Sequence, residues 1–162
     1  MLREDGIPTR EDIEKVTPPD EVMDRKAVAI LECFQEIPCD PCHAACKMKA
    51  IQNFNDINDL PEIDWEECDG CGICVATCPG LAVFVVDKTF SDTEARLIIP
   101  YEFTPVPEKD QIVEGLDRSG KPVTKVRVLK AVRHKSKTYL LYLAVPKEYA
   151  MEVRHIKFQG EE

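Results

Sequence analysis

The sequence predicts an α+β protein in three parts, and three observations support that fold class. All eight cysteines of the 162-residue chain lie between Cys33 and Cys78. The segments after them are short, rich in β-branched residues and separated by turn residues, which is typical of antiparallel strands. The first residues carry few apolar side chains. We therefore predict an N-terminal arm over residues 1–25, a cysteine module over residues 26–103 and a small antiparallel, barrel-like β module over residues 104–162.

Local signals place the first elements. Thr9 is positioned to cap a short helix over residues 10–16, and the pair Pro18-Pro19 prevents its continuation. Residues 26–32 are mostly apolar and predict a buried strand that leads into Cys33. Because so few arm residues are apolar, we expect the arm to be held either by a partner subunit or by its own domain, and both explanations are open.

The predicted strands after the cysteines form a regular series. Residues 81–87 and 95–103 are expected to pair as a hairpin across a polar turn. A linker containing Pro105 and Pro107 follows. The remaining predicted strands cover residues 111–117, 123–132, 138–145 and 151–158. Short strands at this spacing favour a small antiparallel barrel or an open sheet.

Charge is unevenly distributed along the chain. The formal net charge is -9, with -11 in residues 1–69 and +2 in residues 70–162. The segment from Arg118 to Lys147 holds nine Lys or Arg and no Asp or Glu. The two halves therefore present different electrostatic surfaces to partners.

The sequence lacks the signals that usually accompany disulfide-rich or membrane proteins. Its N-terminus has no apolar signal-peptide core, and no apolar stretch approaches the ~20 residues of a membrane span. We therefore expect a cytoplasmic protein. Clustered thiols in such a chain favour metal binding over disulfides.

The second half of the cysteine region has the spacing C-x2-C-x2-C-x3-C-P, formed by Cys68, Cys71, Cys74, Cys78 and Pro79. Three thiolates two residues apart on a tight loop can reach three corners of an iron–sulfur cubane, and the fourth cysteine faces another cluster. Gly70 and Gly72 allow the loop backbone, with its N–H groups, to come close to the cluster sulfides.

The first half partly repeats the second at an offset of 32 residues, from Cys39 onward. At this offset Cys39, Cys42 and Cys46 superimpose on the last three cysteines of the second half. The repeat fails before Cys39, because Glu36 stands opposite Cys68 and the actual cysteine is Cys33. The first half therefore has C-x5-C in place of C-x2-C, and Lys47 replaces the expected proline.

From these residues the sequence resembles the two-cluster [4Fe–4S] ferredoxin family, over residues 26–90. The resemblance implies a ferredoxin-like module and crossed ligation of two [4Fe–4S] clusters. It assigns one cluster to Cys33, Cys39, Cys42 and Cys78, and the other to Cys46, Cys68, Cys71 and Cys74. Because Cys33 is displaced, a [3Fe–4S] cluster or a carboxylate ligand from Glu36 is also open at the first site.

Zinc is the alternative metal, because sites with four cysteine ligands also use C-x2-C pairs. The triple run, the Cys-Pro step and the repeat favour iron–sulfur clusters, since a tetrahedral zinc site needs none of them. No catalytic residue is predicted: His43, His134 and His155 stand without a matching acid or nucleophile motif. The chain also lacks a phosphate-binding loop, so a flavin or nicotinamide would be held by another protein.

The overall layout, with residues 32–42 and 78–84, more loosely resembles the small ferredoxin-like subunit of multisubunit flavin-dependent dehydrogenases that act on amino acids such as proline, hydroxyproline or sarcosine. This resemblance implies a non-catalytic subunit of a hetero-oligomer. Flavin in a partner subunit would oxidise the substrate, and single electrons would pass through the clusters to an external acceptor.

Two other functions are open. One is a free-standing ferredoxin. The other is a nucleic-acid-associated protein with structural clusters, which is disfavoured because the basic segment offers only Tyr139 and Tyr142 for base stacking.

Overall fold

The computed structural model describes residues 2–157 and arranges seven strands in one antiparallel sheet, in the order β1-β2-β3-β6-β5-β4-β7. The strands are β1 (Val28–Leu31), β2 (Val83–Asp87), β3 (Glu94–Tyr101), β4 (Ile112–Leu116), β5 (Pro122–Arg133), β6 (Tyr139–Pro146) and β7 (His155–Lys157). The helices are α1 (Leu2–Asp5), α2 (Arg10–Val16), α3 (Asp20–Met23), α4 (Pro41–Ala45) and α5 (Ile73–Thr77), with a 3-10 turn at Lys147–Tyr149. This mixture of helices and antiparallel strands confirms the α+β class.

The predicted strands are present, with differences at their ends. The hairpin of β2 and β3 is confirmed, with Val86 opposite Leu97. The last predicted strand, residues 151–158, is shorter than expected, because the 3-10 turn runs on into a turn at Met151 and only His155–Lys157 pairs with β4. Phe158 lies outside the described residues.

Strand β3 joins the two predicted modules. It pairs with β6 along its whole length, from Glu94 opposite Pro146 to Tyr101 opposite Tyr139. Strands from residues 26–103 and from residues 104–162 therefore share one hydrogen-bonded sheet. The cysteine module rests on a platform that the C-terminal part of the chain helps to build.

The sheet separates two apolar cores. On one face, side chains from both ends of the sheet meet in a single cluster, with Ile30 of β1 and Ile156 of β7 among its members. The sheet is therefore strongly curled. On the other face of β1, β2, β3 and β6, the cysteine segment packs through Ile51 and Val75, which are 1% and 0% exposed.

A buried ion cluster connects the two ends of the curled sheet. Glu32, directly after β1, accepts hydrogen bonds from Arg118 Nε and Nη2 at 2.9 and 2.5 Å and from Arg154 Nε at 2.8 Å. Arg118 lies in the β4–β5 turn, and Arg154 directly precedes β7. Burial raises the pKa of Glu32, but the hydrogen bond from Arg118 and the charges of both arginines outweigh it, so the pKa is lowered.

The arm packs against its own domain, which is one of the two explanations considered for it. Val22 and Met23 of α3 are buried against Val28 of β1. Arg25 forms an ion pair with Glu66. The predicted helix α2 is confirmed at Arg10–Val16, with a capping box between the Thr9 side chain and Asp12.

The packing of the arm gives the first prediction. Met23 is 1% exposed, so we expect Met23→Ala to lower the free energy of unfolding by about 2–5 kcal/mol through lost packing. The control Ile112→Ala, at a β-strand position that is 54% exposed, should cost less than about 1 kcal/mol. Urea unfolding without oxygen, followed by far-UV circular dichroism, measures both. Equal losses would contradict a structural role for the arm.

Candidate iron–sulfur sites

The structure brings four cysteines together around a first cavity. These are the cysteines assigned above to one cluster, namely Cys33, Cys39, Cys42 and Cys78. The apolar part of the wall includes Ile37, Phe54, Pro61, Pro79 and Val83, and Gln35 and Asp59 also line the cavity. Glu36 is exposed and is not among the residues that line this cavity, so the chain presents Cys33 there and not the alternative carboxylate.

A second cavity is lined by the other four cysteines, Cys46, Cys68, Cys71 and Cys74. Its remaining wall is largely apolar and includes Ala29, Ile51 and Ile63. Cys68 and Cys74 are buried, whereas Cys71 is exposed. The second site therefore reaches the surface at one corner.

Two one-turn helices produce this crossed grouping. Helix α4 contains Cys42, which lines the first cavity, and is followed by Cys46, which lines the second. Helix α5 contains Cys74, which lines the second cavity, and is followed by Cys78, which lines the first. The membership of both groups is what crossed ligation requires, and the ligation itself stays a prediction.

Backbone N–H groups from the sheet side of each site point at sulfur. The amide of Ala29 in β1 donates to Cys68 Sγ at 3.4 Å, and the amide of Ala82 donates to Cys78 Sγ at the same distance. Hydrogen bonds of this kind stabilise ligating thiolates and tune the potential of a bound cluster.

Burial disfavours the charged form of the thiols at both sites. Burial and the neighbouring cysteines raise the pKa of Cys74 to about 12, and burial raises the pKa of Cys42 to about 11. Without a compensating cation these groups are protonated at neutral pH. Iron would supply that positive charge, and its binding would release protons. Two sets of soft thiolate donors in dry, apolar cavities therefore fit iron–sulfur clusters.

Within residues 2–157, no three His, Cys, Asp or Glu side chains are arranged to hold one metal ion. The histidines have other contacts. His43 Nδ1 lies 2.9 Å from the carbonyl oxygen of Ile51, His134 contacts Ser136, and His155 packs between aromatic rings.

Gly70 is required at its position for a reason that the sequence did not reveal. We expected it to let the backbone approach a cluster. Its φ of +69° needs glycine, and a Cβ there would lie 2.5 Å from the Cβ of Ala27. The loop between Cys68 and Cys71 is therefore pressed against the residue that precedes β1.

Comparison with known proteins identifies one family in the second half of the cysteine region. Residues 61–84 match the family described as the 4Fe-4S binding domain. The chain is also 34% identical over 59 residues to ketoisovalerate oxidoreductase subunit VorC of Methanothermobacter marburgensis, across 34% of this chain and 75% of that subunit.

The chain belongs to the 4Fe–4S ferredoxin-type family. This ferredoxin-type protein is also 41% identical over 64 residues to a subunit of the ion-translocating oxidoreductase complex of Methanosarcina acetivorans, across 40% of this chain and 22% of that subunit. It therefore spans only about a fifth of that relative. No solved structure matches it. Within residues 2–157, no helix has the length and apolar character needed to cross a membrane.

The position of Gly70 gives the second prediction for this ferredoxin-type protein. Gly70→Ala combines backbone strain of about 1–2 kcal/mol with a clash of about 1–3 kcal/mol against Ala27. The matched control is Gly120→Ala, because Gly120 has a similar φ of +80° but open space around it. We expect Gly70→Ala to lose more stability than the control and to lose iron from the second site. Unfolding midpoints and iron analysis test this, and equal behaviour of the two variants would contradict it.

Proposed function

We propose that this ferredoxin-type protein is the iron–sulfur electron-transfer subunit of an oxidoreductase complex. In this proposal, single electrons pass through two [4Fe–4S] clusters from a flavin-containing dehydrogenase subunit to an external acceptor. The observation that carries it is the pair of neighbouring cavities, each lined by four cysteines and linked by α4 and α5.

The residues of the chain have distinct tasks in this proposal. A [4Fe–4S] cluster supplies one-electron chemistry when it is bound. Its ligands would be the two sets of cysteines described above. Ile51 and Ile63 exclude water from the second cavity, while the amides of Ala29 and Ala82 stabilise thiolate charge. The exposed Cys71 offers a corner where electrons can enter or leave.

The charge distribution supports docking to two kinds of partner surface. The N-terminal half is acidic, and loading both sites would add a net charge of about -4. A surface of this kind suits a basic partner and a fast, salt-sensitive encounter.

The opposite charge occurs on the β5–β6 hairpin. Arg133, Lys135 and Lys137 are exposed there. Ser136 Oγ at the tip donates a hydrogen bond of 2.9 Å to the carbonyl oxygen of Ala76 in α5. The basic tip therefore lies against the helix that carries Cys74 and leads to Cys78, and we propose that it docks an acidic partner subunit close to the clusters. A carrier between donor and acceptor needs two such surfaces.

The relatives support a subunit within a complex. Both are named as subunits, one of an ion-translocating oxidoreductase complex and one of ketoisovalerate oxidoreductase. Neither name mentions flavin or an amino acid. The flavin-dependent amino-acid dehydrogenase partner rests on the looser resemblance of the sequence and on the lack of a phosphate-binding loop in this chain.

Purification of the tagged chain from its native host without oxygen tests the complex. We expect a flavin-bearing subunit to co-purify, identified by mass spectrometry and flavin absorbance. Adding the substrate of that subunit should bleach the iron–sulfur absorbance of the chain. A monomeric chain would support the free-standing ferredoxin instead, and binding of single-stranded DNA or RNA at low salt would support the nucleic-acid alternative.

Iron analysis tests the two-cluster part separately. Two loaded sites correspond to about eight iron atoms per chain, and Cys74→Ser should leave about four. Thr77→Ser in the same helix is the control and should keep the wild-type content. Zinc in place of iron, or four irons in the wild-type protein, would contradict two [4Fe–4S] clusters.

A further inference from the structure

The buried cluster of Glu32, Arg118 and Arg154 adjoins the most unusual cysteine of the chain. Glu32 directly precedes Cys33, the cysteine that departs from the repeat. The side chains of Glu32, Arg118 and Arg154 are only 6%, 11% and 4% exposed. Charges held this deeply are costly to leave unpaired, so the three groups fix one another's positions.

Glu32 is fixed through its backbone as well as through its side chain. Its amide donates to the carbonyl oxygen of Ala82 at 2.8 Å. The amide of the same Ala82 donates to Cys78 Sγ at 3.4 Å. Ala82 therefore bonds both to Glu32, the neighbour of Cys33, and to Cys78. These two hydrogen bonds connect the backbone beside Cys33 to another cysteine of the same cavity.

The loop after Cys33 is largely exposed. Gln35, Glu36 and Ile37 are exposed, and Ile37 is 47% exposed. An open groove runs beside the first cavity and shares Cys33, Gln35 and Ile37 with it. Cys33 therefore lines both the first site and a groove that is open to solvent. The loop that joins it to Cys39 has five residues where a C-x2-C motif has two, so local geometry alone does not fix this cysteine.

We propose that Glu32, Arg118 and Arg154 are positioning residues that hold Cys33 on the first cavity, so that this site retains its fourth iron. The inference rests on the proposed two-cluster function. In the second half of the repeat, the short C-x2-C spacing positions Cys68 beside Cys71. The first half lacks that spacing, and in this scheme the ion cluster that connects the two ends of the sheet positions Cys33 instead.

The test measures how readily the first site loses one iron. Ferricyanide takes one electron from a [4Fe–4S]2+ cluster as one Fe2+ leaves, which gives [3Fe–4S]+. The product is paramagnetic, whereas the starting cluster is silent in electron paramagnetic resonance. Cys33→Ser in the holoprotein sets the reference for a site without its fourth thiolate.

Glu32→Gln is the main variant, because the amide keeps the size of the carboxylate but loses its charge. Arg118→Lys keeps the positive charge and loses the two-pronged hydrogen bond. The control is Glu94→Gln, which breaks the 3.3 Å pair with Arg127 on another part of the sheet. Thermal melts followed by circular dichroism establish that each variant is folded, and Arg118→Lys carries the test if Glu32→Gln does not fold.

We expect Glu32→Gln and Arg118→Lys to form the [3Fe–4S]+ signal about 10- to 100-fold faster than the wild type, as for other losses of ligand support. Glu94→Gln should behave as the wild type. Equal rates in all four proteins, or equal loss of iron from both sites, would overturn the positioning role. A wild-type protein with four irons would instead overturn the two-cluster proposal on which it rests.

Discussion

The pairing of β3 with β6 is the contact on which both cysteine sites depend. It carries the sheet from the strands around the cysteines to strands that come much later in the chain. On one face of this continuous platform lie Val75 and Ile51 of the cysteine segment, and on the other lies the second core. Removing either core would leave a two-sided sheet with one face exposed. The sites are therefore supported by the whole chain, although their cysteines occupy fewer than a third of it.

Features with local causes could be predicted from the sequence. The capped helix at Arg10–Val16 follows from Thr9 and the two prolines, and the β2–β3 hairpin follows from alternating strand and turn signals. The grouping of the cysteines was implied by the resemblance to two-cluster ferredoxins, because the repeated spacing alone does not account for Cys33. Long-range features could not be predicted in this way. Glu32 is 86 residues from Arg118 and 122 from Arg154, and no periodic pattern links such distant positions. The clash that fixes Gly70 likewise depends on Ala27, which only the folded sheet brings near.

The fold brings the basic segment of the chain next to the cysteine region. In sequence they are separate segments, one acidic and one basic. In the structure the basic hairpin is hydrogen-bonded to α5 through Ser136, so positive charge stands next to the cysteine region. Charges of opposite sign on different parts of one molecule orient it as well as attract a partner. Orientation matters for a carrier, because the rate of electron passage depends on which edge of the protein faces the partner.

The crossed arrangement of α4 and α5 also constrains how the protein can be made. The first half of the repeat supplies three thiols to the first cavity and one to the second. The second half supplies three thiols to the second cavity and one to the first. A nascent chain that has reached Cys46 therefore has no complete set of four. The sets are completed within a few residues of each other, at Cys74 and Cys78, and the arginines that surround Glu32 are synthesised later still. Under the proposed two-cluster scheme, loading of metal is thus deferred until well after the first thiols have left the ribosome, and a product that stops before α5 would carry free thiols without a complete set of four.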